Sequence, residues 1–202
     1  MESKISYCTA VKTGVLSKLH KTYHDTEYGF KAESDNAFFG RLILEINQAG
    51  LSWNTIINKK ESIRNAYVDF DISKIATFTE KDIESLLRNP GIIRMRAKIE
   101  AIVYNAKQVL IFQKKNGSFE NWLDQNHPLS EKEWVKLFKK NFKFTGKEIT
   151  KEFLISNGYI EGAHEKNCPI YLKTIAAQPM WIYTKLNFPF DDRLKTEPIH
   201  CL

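Results

Sequence analysis

The residues best suited to chemistry lie in one stretch, residues 35–53, which reads DNAFFGRLILEINQAGLSW. Its apolar residues recur at helical spacing, and Glu45 shares their face. A carboxylate there loses water at a cost of roughly several kcal/mol unless a donor or a cation meets it. Gly50 suits a left-handed helix end, and Ser52 can cap a second helix that begins with Trp53. This pattern indicates a pocket; the alternative is a solvated glutamate beside a core tryptophan.

A second group of residues is suited to metal binding. His164 and Cys168 are four residues apart, a spacing that suits two ligands of one tetrahedral zinc ion. Cys8 and His24 offer the other two ligands, and such a site would join the two ends of the chain. A His-Cys pair at 200–201 competes with them, and ordinary packed or exposed side chains are the simpler alternative. Three cysteines argue against a disulfide framework.

Basic residues cluster around a break between two predicted helices. The break reads NPGII at residues 89–93, and residues 88–115 hold seven basic side chains against one acid. Such a hairpin presents backbone N–H groups and a helix N-terminus to a phosphate. Arg94, Arg96 and Lys98 would add salt-dependent attraction to a nucleic-acid backbone, whatever its sequence. A solvated helix face is the alternative explanation of these charges.

The elements that must position these residues are predicted to be helices. Caps and apolar periodicity place helix starts near residues 35, 52, 79, 94, 118, 130 and 148. Residues 71–76 read as a connector, and the chain beyond residue 170 is left unassigned. Because strand patterns are almost absent, the expected fold class is all-α.

Composition narrows the class of protein. The 202 residues suffice for one sizeable core, or for two small lobes around a cleft. The 43% hydrophobic and 12% aromatic content indicates a folded globule, and the net charge of +6 is modest. No apolar run approaches the roughly twenty residues that span a membrane. The N-terminus lacks a signal peptide, so we expect a cytoplasmic protein without a membrane partner.

Taken together, these motifs resemble the 3-methyladenine DNA glycosylase I family, a branch of the helix-hairpin-helix DNA glycosylases. The segments that carry the resemblance are residues 23–29, 44–45, 48–53, 91–99, 142–146 and 164–168, whereas Ile46 and Asn47 depart from the family. The resemblance implies a two-lobed, all-α helix-hairpin-helix glycosylase fold with the base pocket between the lobes. Residues 1–170 would form this domain, and residues 171–202 an extension of unknown role whose Trp181 and Tyr183 could wall the pocket.

The resemblance also implies roles for individual residues. Glu45 is the candidate catalytic residue, with Leu51 at the corner that probes DNA. The implied base-binding residues are Tyr23, Tyr28 and Trp53, with Tyr28 standing where the family usually has tryptophan. The implied contacts of the hairpin with DNA are Gly91, Ile93, Arg94, Arg96 and Lys98. The implied ligands of a structural Zn²⁺ are Cys8, His24, His164 and Cys168.

The activity that follows is base-excision repair by a monomer that hydrolyses the N-glycosidic bond of 3-methyladenine in double-stranded DNA. Residues 101–115 contain no acid to assist cleavage, and Met95 stands about where a lyase lysine is expected. Such an enzyme is monofunctional and attacks only a good leaving group, such as a cationic alkylated adenine. Glu45 would hold the cation, and Tyr23 and Trp53 would stack on it. A non-catalytic DNA-binding relative and a glycosylase with a shifted range of alkylated bases are the alternatives.

Overall fold

The computed structural model describes residues 5–185, and within that range twelve α-helices, one 3-10 segment and their turns make up the chain. The first six helices are α1 (Tyr7–Lys12), α2 (Lys18–Thr26), α3 (Asp35–Gln48), α4 (Trp53–Ala66), α5 (Ile72–Ala76) and α6 (Glu80–Arg88). The other six are α7 (Arg96–Asn116), α8 (Phe119–Gln125), α9 (Glu131–Asn141), α10 (Lys147–Ser156), α11 (Tyr171–Ala176) and α12 (Met180–Lys185). The prediction of an all-α fold is confirmed.

Helix α3 lies at the centre of the core. Ser34 caps it by accepting a hydrogen bond from the backbone N–H of Ala37 at 3.2 Å. Its apolar residues, among them Phe38 and Leu42, are fully buried, and each such side chain contributes about 1.5–3 kcal/mol by leaving water. The helix packs against α4, α7, α8 and α10. A residue on α3 is therefore held by contacts from most of the molecule.

The corner between α3 and α4 has the predicted local structure. Gly50 adopts a left-handed φ of +79°, which a side chain would disfavour. The Ser52 side chain accepts from the Thr55 N–H at 3.2 Å, so α4 begins with Trp53. Leu51, at the apex, leaves 40% of its surface exposed. The corner thus sets the indole of Trp53 beside the end of α3.

The hairpin between α6 and α7 is a close-packed turn. Gly91 donates its N–H to Asn89 Oδ1 at 2.8 Å, and a Cβ at Gly91 would lie 3.1 Å from Cβ of Ser62. Helix α7 begins at Arg96, two residues later than predicted, because Met95 has extended backbone angles. The turn therefore packs against α4.

Three segments differ from the sequence prediction. Residues 71–76 are not a plain connector: Asp71 caps the helix α5, which buries Ile72 and Ile75. The short helices α1 and α2 at one end of the chain, and α11 and α12 at the other, were not predicted. Met180 of α12 is buried in the main core, so residues 171–185 pack onto the preceding helices. The pair at 200–201 lies outside the described residues.

The two ends of the described chain meet in a small cluster of their own. Cys8, Cys168 and Ile170 are buried together, with Phe30 and Tyr171 packed on them. The pocket described below lies where α1, α2 and α10 meet α3 and α4. Among residues 5–185, no helix combines the length and the apolar character needed to cross a membrane.

Candidate functional site

The α3–α4 corner opens onto a cavity of about 430 Å³. The cavity is lined by Tyr7, Tyr23, Tyr28, Glu45, Gln48, Trp53, Glu148 and Glu152. The four pocket residues expected from the sequence, one glutamate and three aromatic residues, therefore lie together. Tyr7, Gln48, Glu148 and Glu152 also line the pocket and were not predicted.

The walls of this pocket are aromatic. The ring centroids of Tyr23 and Trp53 are 5.1 Å apart, and those of Tyr23 and Tyr28 are 5.8 Å apart. Tyr7 meets Tyr28 edge to face at 5.8 Å. Aromatic faces carry negative charge density, so a planar cation between them is attracted by about 0.5–2 kcal/mol per ring. The walls fit a flat, positively charged ligand.

Glu45 lies at the bottom of the pocket with only 4% of its surface exposed. Among residues 5–185 no side chain or backbone group donates a hydrogen bond to its carboxyl. The pKa of Glu45 is raised to about 8, chiefly by burial and then by the charge of Glu152, while the charge of Arg41 opposes the rise. The Arg41 guanidinium donates to Phe30 O at 2.5 Å and to Ser156 O at 2.7 Å. The carboxyl thus has no donor from the described protein while it lines the cavity, so Glu45 is placed to meet a ligand there.

A second set of buried side chains forms the expected metal site. The ligand atoms of Cys8, His24, His164 and Cys168 all lie within 4.8 Å of one another. His24 Nε2 is 3.2 Å from His164 Nδ1, 3.4 Å from Cys8 Sγ and 3.7 Å from Cys168 Sγ. A tetrahedral zinc ion with ordinary bond lengths requires separations of roughly 3.3–3.8 Å between its ligands. The four side chains therefore fit one metal ion.

The outer nitrogen of each histidine in this cluster has its own partner. His24 Nδ1 is 2.7 Å from Asp25 Oδ1, and His164 Nε2 is 2.8 Å from the backbone oxygen of Tyr28. These partners fix the orientation of the rings and leave one nitrogen of each free for a metal. The cluster is thus a preformed set of four donors.

The hairpin separates the three predicted basic contacts into different environments. Arg94 is exposed and, among residues 5–185, pairs with no acid. The backbone N–H groups of Ile93 and Arg94 likewise donate to no group in the described part of the chain. The N–H of Gly91, in contrast, is already donated to Asn89. The turn therefore offers two free amides and one free cation.

Lys98 and Arg96 require a correction to the sequence prediction. Lys98 is buried, and its ammonium donates to Asn47 O at 2.8 Å and to Ala49 O at 2.7 Å. It therefore binds the carboxyl end of α3 and is not available to a phosphate. Arg96 pairs with Glu80 at 2.6 Å and with two further carboxylates, those of Glu84 and Glu100. Of the three predicted cations, Arg94 alone has neither a hydrogen-bond partner nor an ion-pair partner for its side chain among residues 5–185.

Comparison with known proteins decides the family. The sequence profile described as methyladenine glycosylase matches residues 13–134, more than half of the chain. The chain belongs to the methyladenine glycosylase family. It is 36% identical over 166 residues to the DNA-3-methyladenine glycosylase of Haemophilus influenzae, covering 73% of this chain and 89% of that protein.

Solved structures agree with this assignment. The 3-methyladenine DNA glycosylase I of Staphylococcus aureus is 31% identical, with a TM-score of 0.71, covering 82% of this chain and 97% of that one. A Tyr-to-Phe variant of a 3-methyladenine DNA glycosylase I, solved in complex with 3-methyladenine, is 32% identical with a TM-score of 0.70. That match covers 78% of this methyladenine glycosylase and 95% of the variant.

The pocket residues that sequence reasoning missed in this methyladenine glycosylase lie outside its central motif. Glu148 and Glu152 stand about a hundred positions after Glu45, and nothing local links α10 to α3. Their four-residue spacing, which puts both on one helix face, was the available signal. Tyr7 precedes the candidate ligand Cys8, so correct placement of Cys8 also places Tyr7. The predicted pocket wall from Trp181 and Tyr183 is wrong, because the lining residues among positions 5–185 all precede residue 153.

Proposed function

We propose that this protein is a monofunctional DNA glycosylase that hydrolyses the N-glycosidic bond of 3-methyladenine in double-stranded DNA. One observation carries the proposal: the buried Glu45 carboxyl has no donor within residues 5–185 and faces a pocket walled by aromatic rings. N3-methylated adenine in DNA is a flat cation with an exocyclic amine, so it supplies both a hydrogen-bond donor and the missing charge. Relatives that share the fold and carry this activity in their names support the same conclusion.

The lesion supplies most of the reactivity. To enter the pocket the nucleotide must leave the duplex, at a cost of a few kcal/mol (roughly) that is smallest for a damaged base. Glu45 then accepts a hydrogen bond from the exocyclic amine, while Tyr23 and Trp53 cover the ring. Water adds to the sugar carbon and gives up a proton to solvent, and the base leaves with the electrons of the broken C–N bond, which cancel its positive charge. Interactions with the cation accelerate this step only as far as they strengthen in the transition state.

The DNA backbone would be held by the hairpin. The free amides of Ile93 and Arg94 and the Arg94 guanidinium can bind phosphates, and Gly91 permits the close turn. Exposed Leu51, at the corner beside the pocket, can occupy the space that the flipped nucleotide leaves. Contacts of this kind do not read sequence, which suits a repair enzyme that must act anywhere in a duplex.

The metal in this assignment is a structural Zn²⁺. Cys8, His24, His164 and Cys168 would hold it, and their mixed sulfur and nitrogen donors suit zinc. When bound, the ion supplies a cross-link between the two ends of the chain and no reaction chemistry. We place the protein in the cytoplasm, where thiols stay reduced, and expect a monomer.

The direct test is to incubate the protein with methylated duplex DNA and to chromatograph the released bases. We expect release of 3-methyladenine without strand cleavage by a lyase. No release, together with intact DNA binding, would identify a non-catalytic DNA-binding relative instead. Tyr28 is a smaller ring than the tryptophan usual in the family, which favours a shifted base range as the second candidate. Comparing 3-methyladenine, 7-methylguanine and larger adducts in the same chromatogram separates these two activities.

A further inference from the structure

Glu152 gives the pocket a second, half-buried acid that the proposed function does not yet use. It lies on α10, faces the same cavity as Glu45, and accepts a hydrogen bond from the Tyr28 hydroxyl at 3.1 Å. That hydroxyl fixes where the carboxylate points, so it is not a mobile side chain at the rim. Glu148, one helical turn earlier, also lines the cavity but is exposed to solvent. The two acids of α10 therefore differ in burial and in anchoring.

The charges that face these acids are few. Lys151 and Glu148 on α10 act on Glu152 with opposite signs, and Arg41 on α3 acts on Glu45. Lys151 also pairs with Glu131 at 3.8 Å, and the Arg41 guanidinium is engaged by backbone oxygens of other segments. Among residues 5–185, no cation forms an ion pair with either pocket carboxyl. The pocket therefore holds more acid than its surroundings neutralise.

We infer that Glu152 is a specificity-determining residue that makes the pocket select positively charged planar bases over neutral ones of the same shape. The inference rests on the proposed function, since it concerns the ligand of the same pocket. Two carboxyls around one cation favour a charged ring over a neutral ring by electrostatics alone, because stacking and shape act on both rings alike.

A consequence for pH follows from the position of the two acids. Burial, and after it the charge of Glu152, opposes ionisation of Glu45, so the empty pocket retains a proton at neutral pH. A bound cation favours the ionised form, and the proton is released to solvent. The affinity of the pocket for a cation should therefore increase as the pH rises through the titration midpoint of the Glu45 carboxyl. That midpoint should move to lower pH when Glu152 loses its charge.

The experiment measures binding of two probes by quenching of tryptophan fluorescence. The fixed cation 3,9-dimethyladeninium is compared with neutral 3-methyladenine, about one pH unit above the midpoint of Glu45, so that Glu45 is ionised in every variant. We expect Glu152→Gln to lower the ratio of cation to neutral affinity on the order of tenfold. Glu152→Asp, which keeps the charge, should restore most of the ratio. Glu148→Gln is the matched control on the same helix and should change the ratio less than about threefold.

Two results would overturn the inference: an unchanged ratio in Glu152→Gln, or equal losses in Glu152→Gln and Glu148→Gln. The unfolding temperatures of all three variants show whether a lower affinity ratio comes from misfolding. If Glu152→Gln is misfolded, the affinity ratio of Glu152→Asp tests the inference instead. Release of 3-methyladenine from DNA by the wild-type protein is measured in parallel. Its absence would refute the proposed function, whereas release with an unchanged ratio would refute only the role of Glu152.

Discussion

The metal cluster and the base pocket are neighbours that treat buried polar groups in opposite ways. They share residues along the chain: Tyr7 precedes the ligand Cys8, and Tyr23 precedes the ligand His24. In the cluster, each histidine has an outer partner and each inner atom faces the other ligands. In the pocket, the Glu45 carboxyl has no donor among residues 5–185. The cluster is complete in itself apart from the ion, whereas the pocket is complete only with a ligand.

This difference teaches which region stabilises the fold and which performs the reaction. A closed cluster of four ligands joins two distant parts of the chain and so contributes to the free energy of folding. A buried carboxyl without a donor lowers that free energy and persists only where binding requires it. A variant in the metal cluster should therefore lower stability more than activity, whereas a variant in the base pocket should lower activity and leave stability unchanged or higher.

The largest effect expected of a single substitution is on stability, from Cys168→Ala. Removal of one ligand leaves three, so zinc binds weakly and the ends of the chain lose their cross-link. We expect the free energy of unfolding to fall by about 3 kcal/mol or more, measured by chemical denaturation. Base release per folded molecule should change far less. Elemental analysis should give about one zinc per wild-type chain.

The matched control for this variant is Cys201→Ala. Cys201 belongs to the competing pair at 200–201, and its replacement should leave both zinc content and stability unchanged. A wild-type protein that contains no metal and is fully stable, or a Cys201→Ala variant that loses its zinc, would contradict the assignment of the four ligands.

Glu45→Gln should have the reverse effect. The amide keeps the size of the side chain but cannot offer a charge to the base, so we expect release of 3-methyladenine to fall on the order of 100-fold. The free energy of unfolding should be unchanged or higher, because an unpaired buried acid has been removed. Single-turnover release and denaturation measured on the same preparation test both halves. A Glu45→Gln variant that loses stability but keeps full activity would contradict the assignment of the pocket to the reaction.

The corner that carries Glu45 shows how much the sequence alone could predict. Ser34, Gly50 and Ser52 act through their immediate neighbours, so the start of α3, its end and the start of α4 followed from local rules. Glu45 was recognisable because its position on an apolar face violates the pattern. Local signals of this kind are readable without a structure.

Long-range contacts were not readable in this way. Lys98 appeared to be one more surface cation of the hairpin, yet it binds the end of α3, because two carbonyl groups there need donors. The spacing of Glu148 and Glu152 puts both on one helix face but does not place that face in the pocket, because α10 reaches the pocket only through tertiary packing. The short helices α11 and α12 depend on contacts such as that of buried Met180, which local propensity does not predict.

The two regions should also respond oppositely to pH. The pKa of Glu45 is raised from 4.5 to about 8 in the folded protein, so between these values the folded state binds a proton that the unfolded state lacks. Stability is therefore lost as the pH rises through this range, by at most about 1.4 kcal/mol per pKa unit. Zinc affinity should instead rise with pH, because its ligands bind in their deprotonated forms.

Denaturation of the zinc-loaded protein at several pH values measures the first trend, and competition with a chelator measures the second. Glu45→Gln should abolish the decline in stability between these pH values and leave the chelator curve unchanged. A wild-type protein whose stability does not decline over this range would show that the Glu45 carboxyl ionises without cost in the folded state, contrary to its burial.

The smallest expected effects come from two residues beside both the metal cluster and the base pocket. A pair of variants separates their effects on the cluster from their effects on the pocket. Asp25→Asn weakens the partner of His24 Nδ1, so zinc affinity should fall about 10–100-fold, with base release at saturating zinc changed less than about twofold. Tyr28→Phe keeps the backbone oxygen that holds His164 but removes the hydroxyl that holds Glu152. It should leave zinc affinity intact and lower the preference of the pocket for a cation. If Tyr28→Phe loses zinc as readily as Asp25→Asn, the cluster and the pocket are one cooperative unit, since only a change transmitted through the tyrosine side chain could then reach the metal ligands.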